Sequence, residues 1–143
     1  MKKLALCLLV GVVTCCGLRA AEKKVLHGAL ALDQTTKPTT KFAPDAPKIY
    51  AFYIGDAVKA GDKIRAVWIA EDVGDAAPKN TKVDEATLTA AKDNPSDAFS
   101  LSMPTKGWPL GKYRVELYDN DQLAETLRFT IGDDAATDAT SDD

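Results

Sequence analysis

A hydrolytic centre needs a nucleophile, a base within hydrogen-bond reach, and an acid to orient that base. This 143-residue chain offers one histidine, His27, for the base. Its four serines are Ser96, Ser100, Ser102 and Ser141, and none sits in a G-x-S-x-G elbow. His27 therefore reads as a partly exposed side chain on a first strand rather than as a catalytic group. Neither G-x-G-x-x-G nor G-x-x-x-x-G-K-S/T occurs, so no phosphate cradle is written into the sequence. All three cysteines, Cys7, Cys15 and Cys16, lie in the first 16 residues and leave the rest without a disulfide or a thiolate. The expectation is a protein without catalysis and without a cofactor.

Metal chemistry is equally thin. Transition metals ask for several His or Cys ligands. The acidic clusters Glu71-Asp72-Asp75 and Asp119-Asn120-Asp121 lack the D-x-D-x-D-G spacing that wraps oxygens around calcium, and they read as solvated turn residues. Aromatic residues carry the remaining functional signal. Trp108, between Gly107 and Pro109, has two readings. As an exposed indole it would stack on a sugar or anchor a protein partner, with Tyr118, Asp119 and Asp121 of the last hairpin as accompanying binding residues. As a cap it would cover core that the strands leave open, and this is the favoured reading. Tyr50, Phe52 and Ile54 alternate with Ile49, Ala51 and Tyr53, so one face of that strand is a second candidate surface.

The N-terminus shows where these groups would act. Lys2 and Lys3 precede the apolar run "LALCLLVGVV", which gives way to "TCCGLRAAEKK". This is the layout of a secretory signal peptide, and the run is shorter than the roughly 20 apolar residues of a spanning helix. The expected division is a removed leader at 1–20, one domain at 21–131 and an acidic disordered tail at 132–143. Val13-Thr14-Cys15-Cys16-Gly17 also resembles a bacterial lipoprotein box, in which Cys16 would be lipidated. It departs from that pattern at Cys15, where Gly, Ala or Ser is usual. Location is thus expected to be periplasmic or secreted, alternatively membrane-anchored through that lipid alone.

Removing Lys2, Lys3 and Arg19 takes the 18 basic side chains to 15, and removing five tail aspartates takes the 21 acidic ones to 16. So balanced a domain has no bulk attraction for nucleic acid.

The elements that must position these residues read as strands. Apolar and polar residues alternate in "KYRVELY", "FSLSM" and "QLAETLRFTI", the last with Leu123, Leu127, Phe129 and Ile131 on one face. "KIYAFYI" and "KIRAVWIAE" are rich in β-branched and aromatic residues, and the second is apolar on both faces in its middle, as a central strand would be. "VLHGALAL" is a first strand. "KVDEATLTA" mixes helical and extended preferences and is assigned to a strand. "DQTTKPTTKFAPDAP", with three prolines and four threonines, is assigned to a long connection. About seven short strands without a long amphipathic helix imply an all-β antiparallel sandwich.

"PLGKYRV" resembles the tyrosine corner of immunoglobulin-like folds. Tyr113 would start the penultimate strand, Val115 would take the core position where antibody domains carry cysteine, and Trp68 would be the buried tryptophan of a central strand. "FAPDAPKIY", "AVW", "GWPLGKYRVELY" and "LRFTI" are similar to modules of bacterial exported proteins and lipoproteins whose roles are mostly unassigned. The resemblance spans residues 42–131 and brings no catalytic residue. The leader, the strand pattern and the missing catalytic inventory together lead to the expectation of a non-enzymatic module that contacts an envelope protein through loops or a strand edge. The alternatives are a carbohydrate-binding module that takes a glycan on exposed aromatics, and a structural spacer or lipoprotein.

Overall fold

Each run of alternation becomes a strand. The computed structural model describes residues 25–133, so the leader, Cys16 and all but the first two tail residues lie outside the described residues. The strands are β1 (Leu26–Ala31), β2 (Lys41–Phe42), β3 (Lys48–Gly55), β4 (Lys63–Asp72), β5 (Thr81–Thr89), β6 (Ser96–Ser102), β7 (Gly111–Asp119) and β8 (Gln122–Ile131), with one 3-10 turn at Gly74–Ala76. They form a three-stranded sheet, β1-β3-β6, and a five-stranded sheet, β2-β8-β7-β4-β5. Pairing is antiparallel except between β2 and β8. In immunoglobulin lettering these sheets are A-B-E and A′-G-F-C-C′, so the fold is an immunoglobulin-like β-sandwich in which no D strand lies beyond E.

β2 was hidden in the expected long connection. Two residues cannot show a period, and its pairing is set from outside by Thr130 N–H donating to Thr40 O (2.8 Å) and Gly132 N–H to Phe42 O (3.0 Å). It nonetheless matters, because it delivers the fully buried Phe42 edge-on to Phe129, 5.6 Å between ring centroids.

The centre of the core follows from period two. Ile64, Ala66, Trp68 and Ala70 of β4 turn inward with Tyr113, Val115 and Leu117 of β7, and all are buried. Trp68 stands opposite Val115 in the β4–β7 register and meets Phe129 edge-on at 6.3 Å. Val67 and Ile69, on the other face of β4, are also buried, which explains the continuous apolar run of that strand.

The corner expected before β7 is present. The Tyr113 hydroxyl donates to Pro109 O at 2.6 Å, and burial pushes its pKa up to about 12, so it remains a donor at any ordinary pH. Gly111 makes the bend, with φ +146°, and a Cβ there would collide with the Asp72 carbonyl. The last hairpin turns through Asn120 (φ 46°) and Asp121 (φ 66°), the left-handed pair of a two-residue turn.

One side-chain assignment needs correction. Leu123 does not share the buried face of β8, because the register shifts at Leu117/Tyr118: Leu117 faces Glu125, Tyr118 faces Leu123, and Ala124 is the extra residue. This bulge leaves Leu123 54% exposed.

Candidate functional site

The two sheets differ in width, and the difference opens one side of the sandwich. β5 pairs only with β4, and every residue from Lys82 to Thr87 is exposed. Among the described residues β6 pairs only with β3, so it too has a free edge. Six residues, 90–95, connect these strands, too few to supply a further strand between them. Both edges are chemically guarded. Asp84 Oδ1 accepts the N–H of Glu85 and Asp97 Oδ1 accepts the N–H of Ala98, each at 2.8 Å. An aspartate folded over its own neighbour's amide in this way blunts an edge that would otherwise template pairing.

The guard on β6 is partial. Ala98 N–H points away from β3, and because the β3–β6 register is unbroken from Lys48 to Ile54, alternation puts the N–H groups of Ser100 and Ser102 on the same free edge. Their side chains are small and uncharged, and no aspartate lies beyond Asp97 to cover them.

At the far end of that edge the chain leaves β6 and forms a cavity of about 440 Å³ with the start of β5. Pro104, Lys106 and Trp108 line one wall and Val83 the other, with Ala77 and Tyr113 also contributing. Its two aromatic residues expose no free polar atom. Trp108 Nε1–H donates to Ala46 O (2.7 Å) and Tyr113 Oη–H to Pro109 O, while the two rings meet edge-on at 6.1 Å. What the cavity offers is therefore carbon surface. Lys106 at the rim has no ion-pair or hydrogen-bond partner among the described residues. Its neighbours do: Lys79 lies 3.8 Å from Asp72, and Lys82 lies 3.5 Å from Glu85.

The structure disperses the binding residues expected from the sequence. Trp108 is buried, only 4% exposed, in keeping with the favoured reading as a cap and against the alternative of an exposed indole: the ring closes the end of the core, and only its cavity side is approachable. Tyr118 lies at the opposite end of β7, roughly 24 Å along the strand from Gly111. Its ring is covered by the Arg65 guanidinium, 4.3 Å from the ring centroid, and its hydroxyl bonds Glu116 Oε2 at 3.2 Å. Burial first, and the Glu116 carboxylate second, raise its pKa.

Asp121 points to Arg65 Nη2 at 3.5 Å. Asp119 leaves Oδ1 buried without a partner, and burial, then the charge of Asp62, raise its pKa. Asn120 bridges the turn to β4 by donating to Asp62 Oδ1 (3.0 Å) and accepting from Lys63 N–H (2.9 Å). Glu71 is held by Arg114 and Arg128, both at 3.2 Å. Among the described residues no group of three or more His, Cys, Asp and Glu side chains is arranged to hold a metal ion.

The second candidate surface is where the alternation put it. Tyr50 and Phe52 stack at 5.7 Å on the outer face of β3, and Ile54 beside them is 60% exposed. Sequence reading missed Val83, Lys106, Asp84 and Asp97. The signal for the two aspartates was their position, one in each of the edge strands β5 and β6.

No protein-family model matches this chain, and a comparison with curated proteins finds no match. Among solved structures, an immunoglobulin-like protein from Pseudomonas aeruginosa aligns at 15% identity and a TM-score of 0.49, over 75% of this chain and 91% of that one. A β-glucosidase from Listeria innocua in complex with isofagomine aligns at 10% identity and a TM-score of 0.43, over 75% of this chain. The aligned part is 16% of the glucosidase. The assignment of the fold rests on this chain's own strand order.

Proposed function

We propose that this chain is a non-enzymatic, exported binding module that receives an extended segment of a protein partner along the free edge of β6. The observation that carries the reading is that edge itself: two outward backbone N–H groups, at Ser100 and Ser102, on a strand that has no outer neighbour among the described residues. Main-chain pairing would supply affinity, and the side chains beside the edge would supply selectivity. The balanced charge of the domain and the absence of a nucleophile–base pair support a module of this kind. The carbohydrate reading lacks the open ring face it requires at both Trp108 and Tyr118.

The test is capture from envelope extract with the full chain as bait. Saturable capture is expected with wild type and with Ile54→Ser, and it should be lost with Ser100→Pro, which removes an edge N–H without breaking the β3 ladder. Loss with Ile54→Ser and retention with Ser100→Pro would move the interface to the outer face of β3 and sink the edge reading.

A further inference from the structure

Resting on the edge reading, the cavity at the end of β6 has a chemistry of its own. We infer that it is an anchor pocket for one phenylalanine-like or large aliphatic side chain of the partner segment, with a carboxylate next to that side chain held by Lys106. Three observations lead there. The first is position. The cavity walls come from Pro104 to Trp108, directly after β6, and from Val83 at the start of β5, so a strand laid on the β6 edge ends over its mouth.

The second is polarity. The Trp108 and Tyr113 donors are both engaged with backbone carbonyls, so a guest that brings its own donors or acceptors meets nothing to satisfy them. A hydrocarbon group loses no hydrogen bonds on entering and gains contact with two ring systems and the small side chains of Ala77 and Val83. At about 440 Å³ the space lies in the lower range of ligand pockets, suited to a single group rather than to a whole cofactor.

The third is charge. Lys79 and Lys82 each lie within 4 Å of a carboxylate, whereas Lys106 has no such partner among the described residues. An unpaired ammonium at the rim of a hydrocarbon pocket favours a guest with an anion at its edge.

The experiment uses the full chain labelled with 5-fluorotryptophan, which gives one fluorine resonance for Trp108 in the cavity wall and one for Trp68 deep in the core as an internal control. The probes are N-acetyl-phenylalanine and its neutral amide. Saturable movement of the Trp108 resonance alone is expected, with a dissociation constant on the order of 1 mM for so small a ligand. The amide should bind about two- to fivefold more weakly, as expected for one exposed ion pair. Lys106→Ala should erase that difference. Ala77→Phe, which fills the cavity, should abolish binding of both probes, with an unchanged Trp68 resonance reporting an intact fold.

An unmoved Trp108 resonance, or binding undiminished in Ala77→Phe, would overturn the pocket. Equal binding of acid and amide to wild type would overturn its carboxylate preference. Partner capture lost with Ser100→Pro but unaffected by Ala77→Phe would likewise overturn the anchor while leaving the edge reading intact. Probe binding without any captured partner would do the reverse and make the cavity a site for small anions.

Discussion

The two lateral sides of this sandwich are built from the same kinds of strand and end differently. Where β1 meets β8 the side is bridged, although a cavity of about 650 Å³ remains between residues 28–30, 38–41 and 126–128. Gly28 lacks the Cβ that would stand 2.8 Å from Leu127 Cδ1, so Leu127 lies directly on β1. The 16 residues between β1 and β3 then fold back, tied by Thr39 N–H to Leu30 O (2.9 Å), and deposit β2 against β8. Where β6 and β5 face outward the connection has only six residues and nothing folds back. Which side of a sandwich gains an extra strand is thus a matter of how much chain is available there, and the other side must be protected by charge instead.

The comparison breaks most readily by truncating one buried or half-buried side chain on each side. Phe42→Ala on the bridged side is expected to cost about 3 to 5 kcal/mol, the usual range for a phenylalanine that is fully buried. Leu88→Ala on β5, where the side chain is half-buried, should cost about 1 to 2 kcal/mol, within reach of a partial loss of transfer energy. Urea unfolding of the two variants measures both. Equal losses would show that the open side is packed as tightly as the bridged one.

A smaller change tests the corner that fixes β7 between the two sides. Tyr113→Phe keeps the ring stacked on Phe129, 5.2 Å away, and deletes only the bond to Pro109 O. A loss of about 1 kcal/mol in thermal or urea unfolding is expected. A variant that melts with wild type would mean that the hydroxyl does not hold the bend.

Much of the centre of the sandwich was legible because it follows period two. Tyr113, Val115 and Leu117 announce their buried face, and the Pro109 to Tyr113 spacing announces the corner. On the open side β6 alternates cleanly in "FSLSM", but β5 does not, for a physical reason: its residues from Lys82 to Thr87 are all exposed, so burial does not select them, and "KVDEATLTA" shows neither a clean strand period nor a helical one. β2 was missed because long-range pairing, not local preference, makes it. The cavity was missed because its walls come from separate segments, Val83 and Pro104 to Trp108, that only the folded chain brings together.

The hairpin end of β7 adds an electrostatic contrast with the satisfied corner end. Asp119 has a raised pKa in the folded state because burial and Asp62 oppose its charge. Its contribution is therefore favourable below the unfolded carboxylate pKa and is lost as pH rises through the folded value. Asp119→Asn should stabilise the protein at neutral pH by less than about 1 kcal/mol, the side chain being partly solvated. The gain should vanish toward acid pH, where the wild-type carboxyl is protonated. Melting temperatures of both proteins across that range measure it, and a gain that persists in acid would trace the effect to hydrogen bonding instead.

The smallest effect on stability should accompany a large effect on association. Asp84 and Asp97 contact little beyond the amides they cover, so Asp84→Ala and Asp97→Ala should each change unfolding free energy by no more than about 0.5 kcal/mol. Yet each uncovers an outward N–H on a strand whose other edge is already paired, and the double variant leaves both edges of the open side unguarded. Light scattering against concentration should then show larger species for the double variant than for wild type, whereas a guard deleted without added association would mean that shape, not charge, keeps the edges apart. The Asp97 variant should dominate, because Asp97 precedes the uncharged Ser100 and Ser102 edge, while β5 keeps Lys82 and Glu85 and a bulge at Val83, opposite Trp68 and Ile69 of β4, that each deter pairing.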